Sequence, residues 1–148
     1  MSLNPLADLE TVLTTAGLHQ GLTFLNQRVS HRFTAIYRLD GLMMRVVDMV
    51  DKEGGMDAST LEAVPLGDSF CQFAMKEGRF VTTQSSQDTR LNVHPYQGVV
   101  ESYVGLPLTR GAGELFGTFC HYDFTGRPIS DEEYVFLTQV ASLLPKFL

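Results

Sequence analysis

The sequence predicts an α+β domain in which helices flank an antiparallel sheet of five or six strands. Two pairs of strand-like segments are each joined by a short connection that contains glycine, Asp40-Gly41 in the first pair and residues 109–114 in the second. Such tight connections join antiparallel neighbours. Helical patterns precede, separate and follow the two pairs, and this order indicates helices that pack against a sheet.

Residues 5–29 are predicted to form the first helical segment. Apolar side chains recur at helical spacing in two stripes, at residues 6–13 and 22–29. Gly17 and Gly21 lie between the stripes and predict an interruption of the helix there.

The first predicted hairpin consists of residues 33–39 and 43–50. Its first strand alternates, so that one face carries Phe33, Ala35, Tyr37 and Leu39 and the other carries Thr34, Ile36 and Arg38. Residues 51–55 are polar and contain glycine, which predicts a loop after the return strand.

A capped helix is predicted at residues 69–77. Ser69 and Gln72 have the spacing of a capping box, in which the serine hydroxyl caps the helix and the glutamine reaches back to the N–H of the cap. Gly78 follows as a stop signal. Cys71 then lies in the first turn, where the positive end of the helix dipole can lower the pKa of a thiol. The alternative is an unreactive, buried Cys71.

Three more strands and a long loop follow this helix. Residues 80–84 predict a short strand, and residues 85–98, which have mixed polarity, predict a loop with a short helical turn. Residues 100–108 and 115–124 have the strongest strand patterns of the chain. In the last strand, alternation places Cys120 with Phe116, Thr118 and Tyr122, opposite Leu115, Phe119 and His121.

Two glycines inside these strands predict close packing, and a serine after the strands predicts the start of a helix. Gly105 and Gly117 predict a close approach, either of a ligand or of the covering helix. Ser130 predicts the start of the last helix, with Glu133 as its capping-box partner, and Pro145 ends that helix.

Length and charge limit the class of protein. The chain has 148 residues, which predicts one domain over 1–148, with a helical segment at 1–29 and the sheet core and C-terminal helix at 30–148. The net charge is −6 and no two basic residues are adjacent, so nucleic-acid binding is not expected. No run approaches the roughly 18 apolar residues of a membrane span, and the expected location is the cytoplasm.

The two cysteines, Cys71 and Cys120, form no CxxC motif, and a reduced pair is expected. These cysteines, His94 and His121 do not show the short sequence spacing that is typical of metal ligands, so no metal site is predicted.

Several short sequence motifs, in this order, resemble those of the GAF domain family, whose fold is related to that of PAS domains. They are DSFC at residues 68–71, DTRL at 88–91, SYVGLPL at 102–108, GELFGTFCHYD at 113–123 and PISDEE at 128–133. The resemblance covers roughly residues 20–148. It implies a sensory or regulatory module of signal transduction, without catalysis, that holds a small molecule between the sheet and its covering loops. The cofactor, if any, is not identified by these motifs.

The resemblance also implies partners. Members of the family often pair through their terminal helices, so a homodimer is expected, with the apolar stripe at residues 6–13 as its sequence argument. Members of the family usually regulate an output domain, so a separate signalling output protein is expected as a partner in trans.

Marks of individual GAF subfamilies are incomplete in this chain. The covering loop contains His94 but no cysteine for a covalent bilin, and the chain has no Asn-Lys pair of the kind found in cyclic-nucleotide binders. Cys71 falls near a cysteine of the free methionine-R-sulfoxide reductases, but the covering-loop cysteine of those enzymes is missing. A thiol-based redox enzyme or sensor of that type is one alternative function. A protein interaction module whose pocket is filled by its own ten Phe and five Tyr is another.

The predicted ligand is small and polar or anionic. Arg90 could bind an anion bidentately, although a local Asp88–Arg90 pair that orders the loop is the alternative. One of Ser102 and Tyr103 must face the pocket, and the period does not say which. The candidate ligand-binding residues are Cys71, Asp88, Arg90, Tyr96, Ser102, Tyr103 and Cys120.

Overall fold

The computed structural model describes residues 4–56 and 63–148, and its centre is one antiparallel sheet of six strands. The strands are β1 (Phe33–Asp40), β2 (Met43–Asp51), β3 (Ala63–Pro65), β4 (Phe80–Thr82), β5 (Ser102–Arg110) and β6 (Glu114–Asp123). Their order across the sheet is β3-β2-β1-β6-β5-β4. The predicted α+β class and antiparallel sheet are confirmed, and β3 is a strand that the sequence pattern did not indicate.

Four helices cover the two faces of the sheet: α1 (Pro5–Ala16), α2 (Leu18–Asn26), α3 (Cys71–Glu77) and α4 (Asp131–Leu143). Helices α1, α2 and α4 pack on one face, the helix side, and α3 packs on the other face against β5 and β6. Two 3-10 turns, Ser85–Gln87 and Thr89–Leu91, lie in the long loop where one helical turn was predicted. No helix in the described parts of the chain is both long and apolar enough to cross a bilayer.

The predicted N-terminal helix is two helices that separate at Gly17. This residue has φ 94°, in the left-handed region that favours glycine, whereas Gly21 lies inside α2. Leu9 and Leu13 of α1 are buried in the core of the helix side together with residues of α4. The apolar stripe at residues 6–13 therefore packs inside the protomer and no longer supports a homodimer. The homodimer stays a prediction from the family resemblance.

The predicted capping box at Ser69 is wrong. Helix α3 begins one residue later, after Phe70, which offers no side-chain cap. The Ser69 hydroxyl donates to the carbonyl of Leu66, and the Gln72 amide donates to the carbonyls of Gly67 and Ser69. A 3-10 turn over Leu66–Asp68 precedes the helix and provides these acceptors, so both side chains stabilise that turn. Cys71 nevertheless lies in the first turn of α3, as predicted.

The predicted faces of the strands hold except at a bulge. Cys120 and Tyr122 share a core cluster on the α3 side, and Phe119 is buried on the helix side. Phe116, however, joins the helix side, because the β5–β6 register shifts by one residue between Leu108 and Thr109. An extra residue in a strand reverses the face of the residues beyond it.

The cap of α4 is the predicted Ser130, whose hydroxyl accepts a hydrogen bond from the N–H of Glu133 at 3.1 Å. The Glu133 carboxylate does not return to the cap as a capping box would require. It instead binds Arg28 through two hydrogen bonds of 2.8 and 3.1 Å, and this ion pair links the chain after α2 to the start of α4.

Two histidines are buried between the sheet and the N-terminal helices. The rings of His31 and His121 stack at 5.9 Å, and burial lowers both pKa values, that of His31 to about 4. Thr34 Oγ1 accepts from the Asn26 amide at 2.9 Å and lies 2.6 Å from His121 Nδ1. The threonine hydroxyl and His121 Nδ1 share a hydrogen bond, and the lowered pKa keeps His121 neutral.

This histidine pair gives an expected pH dependence. Below pH ~6.5 the unfolded chain takes up protons that the folded chain excludes, so the free energy of unfolding should fall by up to about 1.4 kcal/mol per pH unit for each histidine. For His31 the fall ends near its folded pKa of about 4. Urea unfolding at several pH values checks this, with His121→Asn expected to reduce the slope. Equal stability throughout this pH range in the unmodified protein would contradict it.

Candidate functional site

A cavity of about 250 Å³ lies between the α3 side of the sheet and the segments that cover it. Its walls are mostly aromatic rings and aliphatic chains. The lining residues are Phe33, Tyr37, Val46, Met56, Ala63, Val64, Asp68, Ser69, Phe70, Cys71, Tyr96, Val100, Tyr103, Tyr122 and Phe124. Ligand pockets are typically apolar with a few polar groups, and this cavity has that composition at a small size.

Three tyrosines on neighbouring strands supply polar groups to the cavity. Tyr37 on β1, Tyr103 on β5 and Tyr122 on β6 are all buried, and strand alternation turns them to the same face of the sheet. The hydroxyls of Tyr37 and Tyr122 form a hydrogen bond of 3.0 Å, and Tyr122 stacks on Phe33 at 4.9 Å. Burial raises the pKa of all three phenols, so the cavity presents neutral hydroxyl groups.

Gly105 makes the position of Tyr103 possible. A Cβ atom at Gly105 would overlap the hydroxyl and ring of Tyr103, because both residues face the same side of β5 and the ring lies along the strand. The close approach predicted at Gly105 is therefore that of a neighbouring tyrosine, and neither a ligand nor the covering helix explains it.

The Cys71 sulfur is surrounded by hydrogen-bond donors from the sheet. Thr118 Oγ1 lies 3.1 Å and the Tyr103 hydroxyl 3.5 Å from Cys71 Sγ, and Cys120 belongs to the same core cluster. Donation from Cys120, Thr118 and Tyr103 outweighs burial and lowers the pKa of Cys71, whereas burial raises the pKa of Cys120. The sequence indicated the helix dipole as the cause of a lowered pKa; these donors from β5 and β6 were not foreseen.

The structure brings some of the predicted site residues together and separates others. Cys71, Tyr96 and Tyr103 line the cavity. Cys120 is fully buried in the same core cluster but does not line the cavity. Asp88, Arg90 and Ser102 lie away from the cavity.

Arg90 and Ser102 have local partners. Arg90 binds Asp88 at 2.6 and 2.9 Å, donates to the carbonyl of Val81 at 2.7 Å and covers the ring of Phe80 at 4.5 Å. These contacts are those of the loop-ordering alternative, and Arg90 also borders a second cavity with Arg79 and Tyr134. The Ser102 hydroxyl donates to the carbonyl of Thr125 at 2.7 Å, so Tyr103 is the residue of that pair that faces the cavity.

Charge is scarce around the cavity. Asp68 is the one charged side chain among its described lining residues, and the segment 57–62, which joins Met56 to Ala63, contains no Lys or Arg in its sequence. Within residues 4–56 and 63–148, no three His, Cys, Asp or Glu side chains are grouped in a way that could hold a metal ion. His121 lies on the opposite face of the sheet from Cys120, where it contacts His31 and Phe119.

Sequence reasoning missed Tyr37, Tyr122, Phe33 and Phe70 as cavity residues, and Thr118 as a neighbour of the Cys71 sulfur. The alternation of β1 and β6 did group Phe33 with Tyr37 and Thr118 with Tyr122 on single faces. That signal could not identify the face that borders a cavity, because both faces of this sheet are buried and equally apolar.

Comparisons with known proteins agree on the fold. Among solved structures, the GAF domain of a phosphoenolpyruvate-protein phosphotransferase from Acinetobacter superimposes with a TM-score of 0.77 at 14% identity, covering 99% of this chain and 94% of that one. The free methionine-R-sulfoxide reductase from Neisseria meningitidis, solved with its substrate, gives a TM-score of 0.74 at 17% identity, covering 95% of this chain and 84% of that one. At such identities the likeness shows the fold alone.

A third solved structure, the chromophore-binding domain of Stigmatella aurantiaca phytochrome P1, gives a TM-score of 0.76 at 12% identity, covering 98% of this chain and 59% of that one. No curated protein matches the chain. The family model of the GAF domain matches residues 9–144. The chain therefore belongs to the GAF domain family.

Proposed function

We propose that the chain is a cytoplasmic, non-catalytic regulatory domain that binds a small neutral molecule in the aromatic cavity. GAF domains are in general sensory or regulatory modules. The observation that carries the proposal is the cavity itself, which is lined mostly by apolar side chains together with Tyr37, Tyr103 and Tyr122.

The lining favours a neutral ligand over the anionic ligand that the sequence suggested. The anionic prediction depended on Arg90, which is bound to Asp88 away from the cavity. An anion would meet Asp68 and no basic side chain among the described lining residues, and an unpaired charge is costly to bury. A neutral molecule with an apolar or aromatic body and one hydrogen-bonding group fits the rings and the phenols.

Two observations favour ligand binding over a self-filled interaction module and over an enzyme of the reductase type. An interaction module with a self-filled pocket would place its own side chains in this volume of about 250 Å³. The covering-loop cysteine of the reductases remains absent, and His94 packs on Phe70 and Phe73 instead. The regulatory output, in trans or through a homodimer, belongs to the proposal as an expectation of the family.

Replacing Val100 by tryptophan should block the cavity. Val100 lines it, whereas the adjacent Val99 is 51% exposed and does not. With p-cresol as a neutral probe and benzoate as its anionic counterpart, we expect NMR titration to detect p-cresol binding, with benzoate weaker. Val100→Trp should raise the Kd of p-cresol about tenfold or more because the indole occupies the volume. The matched control Val99→Trp should bind like the unmodified protein.

Equal p-cresol binding by both tryptophan variants would place the probe elsewhere and contradict the proposal, as would the absence of binding by the unmodified protein. Native mass spectrometry of the purified protein tests whether a natural ligand is retained. A mass excess that disappears on denaturation would give the mass of the bound molecule directly.

A further inference from the structure

The two cysteines of the chain, 49 positions apart in sequence, meet beside the cavity. Cys71 is the first residue of α3 and Cys120 lies in the middle of β6, and both are free thiols. Cys71 Sγ lies 3.1 Å from Thr118 Oγ1, and Thr118 is two residues from Cys120 on the same face of β6, so the two thiols are neighbours in one core cluster. Only Cys71 lines the cavity; Cys120 is wholly buried and does not. The two thiols therefore differ in their access to the cavity. A small molecule in the cavity can reach Cys71 but not Cys120.

The surroundings of Cys71 Sγ suit a reactive sulfur. Thr118 Oγ1 and the Tyr103 hydroxyl lie 3.1 and 3.5 Å from it, and neither neighbour is charged. Hydrogen bonds to a thiolate stabilise it and lower its pKa, in agreement with the lowered pKa of Cys71. Tyr103 also lines the cavity, so its single O–H can turn from the sulfur to an oxygen atom of a molecule that approaches.

We propose that Cys71 is a modification site for small organic hydroperoxides that enter the cavity, and that Cys120 resolves the oxidised Cys71 into a disulfide. The inference rests on the proposed function in one respect, the use of the same cavity as the access route. A hydroperoxide is neutral, carries an apolar group and presents oxygen atoms. The rings, the hydroxyls and the lack of a basic side chain among the described lining residues favour this chemistry.

The reaction balances in two steps. The Cys71 thiolate attacks the outer oxygen of the hydroperoxide, an S–O bond forms, the O–O bond breaks, and the released alkoxide takes the former Cys71 proton and leaves as an alcohol. The Cys120 sulfur then attacks Cys71 Sγ, an S–S bond forms, the S–O bond breaks, and the hydroxide leaves as water with the Cys120 proton. Two thiols are oxidised to one disulfide while one hydroperoxide is reduced to an alcohol.

The decisive experiment uses the unmodified, reduced protein with tert-butyl hydroperoxide as the probe. Intact-mass measurement should show the loss of two hydrogen atoms, peptide mapping should find Cys71 linked to Cys120, and dithiothreitol should restore the original mass. If both thiols stay reduced at probe concentrations that oxidise the urea-unfolded chain, the proposal fails.

Variants separate the roles of the two thiols. Cys120→Ala should stop at a Cys71 that has gained one oxygen and reacts with dimedone, whereas Cys71→Ala should leave Cys120 reduced. Thr118→Val keeps the side-chain shape but removes a donor, and it should slow oxidation about threefold to tenfold. Oxidation of Cys120 in Cys71→Ala at the rate of the unmodified protein would overturn the assignment.

The access route is tested with the same tryptophan pair. Val100→Trp should slow oxidation and Val99→Trp should not; equal rates would overturn access through the cavity. The outcome is distinguishable from that of the proposed function. Binding of p-cresol without oxidation of the thiols would refute the inference alone, and oxidation through the cavity without any p-cresol binding would refute the proposed function alone.

Discussion

Replacing Asp51 by alanine is expected to lower the free energy of unfolding by about 3–5 kcal/mol, the cost of breaking a buried ion pair from one side. The Asp51 side chain is fully buried. Its two oxygens accept from Arg32 Nε at 2.7 Å and from the second guanidinium nitrogen of Arg32 at 2.9 Å. The alanine variant would leave a partly buried guanidinium without this partner.

Asp51 also shapes the loop that leads to the cavity. Its carboxylate accepts hydrogen bonds from the backbone N–H groups of Glu53, Gly55 and Met56 at 2.9–3.0 Å, and Met56 lines the cavity. The hydrogen bonds from Arg32 and these backbone groups lower the pKa of Asp51 to about 2. Its stabilising contribution is therefore complete above the ordinary carboxyl pKa and is lost as the pH falls towards 2. Asp51→Ala should weaken p-cresol binding as well as stability.

Asp40→Ala is the matched control. Asp40 forms an ion pair with Arg45 in which both side chains are about half exposed, and such exposed pairs, which water screens, contribute little to stability. Urea unfolding of both variants at neutral pH measures the difference. Similar losses for Asp51→Ala and Asp40→Ala would show that the buried network does not stabilise the loop as inferred.

Gly117→Ala should lower the free energy of unfolding by about 3 kcal/mol or more, at the upper end for overpacking. A Cβ atom at this position would overlap the carbonyl oxygen of Tyr37 and would lie 2.8 Å from the Tyr37 carbonyl carbon and 2.9 Å from the Arg38 Cα. These are backbone atoms of the paired strand β1, so no side-chain rotation relieves the overlap. The close approach predicted at Gly117 is thus that of a neighbouring strand, not of a ligand or a covering helix.

Gly67→Ala is the control for this substitution, because a Cβ atom there has no neighbour within 4 Å. Its midpoint of urea unfolding should stay close to that of the unmodified protein. If Gly117→Ala were as stable as Gly67→Ala, the two central strands would have to separate without cost, and the inferred tightness of the β1–β6 pairing would be wrong.

Predictions from local sequence succeeded where one segment contains all the necessary information. The Ser130 cap depends on a hydroxyl and an N–H three residues apart, and the Asp40-Gly41 hairpin depends on one turn. The capping box predicted at Ser69 was wrong because residues outside the motif decide its hydrogen bonds. The spacing of Ser69 and Gln72 suits a capping box, but the preceding 3-10 turn provides carbonyl acceptors for both side chains. Strand β3 has three residues, too few for a period to be recognised.

The site was harder to predict than the fold. Alternation grouped Cys120 with Thr118 and Tyr122 correctly, but a bulge moved Phe116 to the other face. Family resemblance directed attention to Arg90 as a ligand-binding residue, whereas its guanidinium has its partners in the loop itself. The meeting of Cys71 with Cys120 depends on how α3 crosses β6, and no pattern within either segment contains that geometry.

The sequence by itself determined the element types, the antiparallel pairing of the hairpins, the GAF fold and the position of Cys71 at the start of a helix. These follow from side-chain period, turn chemistry and capping, which act over a few residues. Only the tertiary structure decided which face of the sheet borders the cavity, that three neutral phenols line it, and that the two thiols lie in one core cluster. Those features arise from contacts between residues distant in sequence, whose packing depends on the whole core at once.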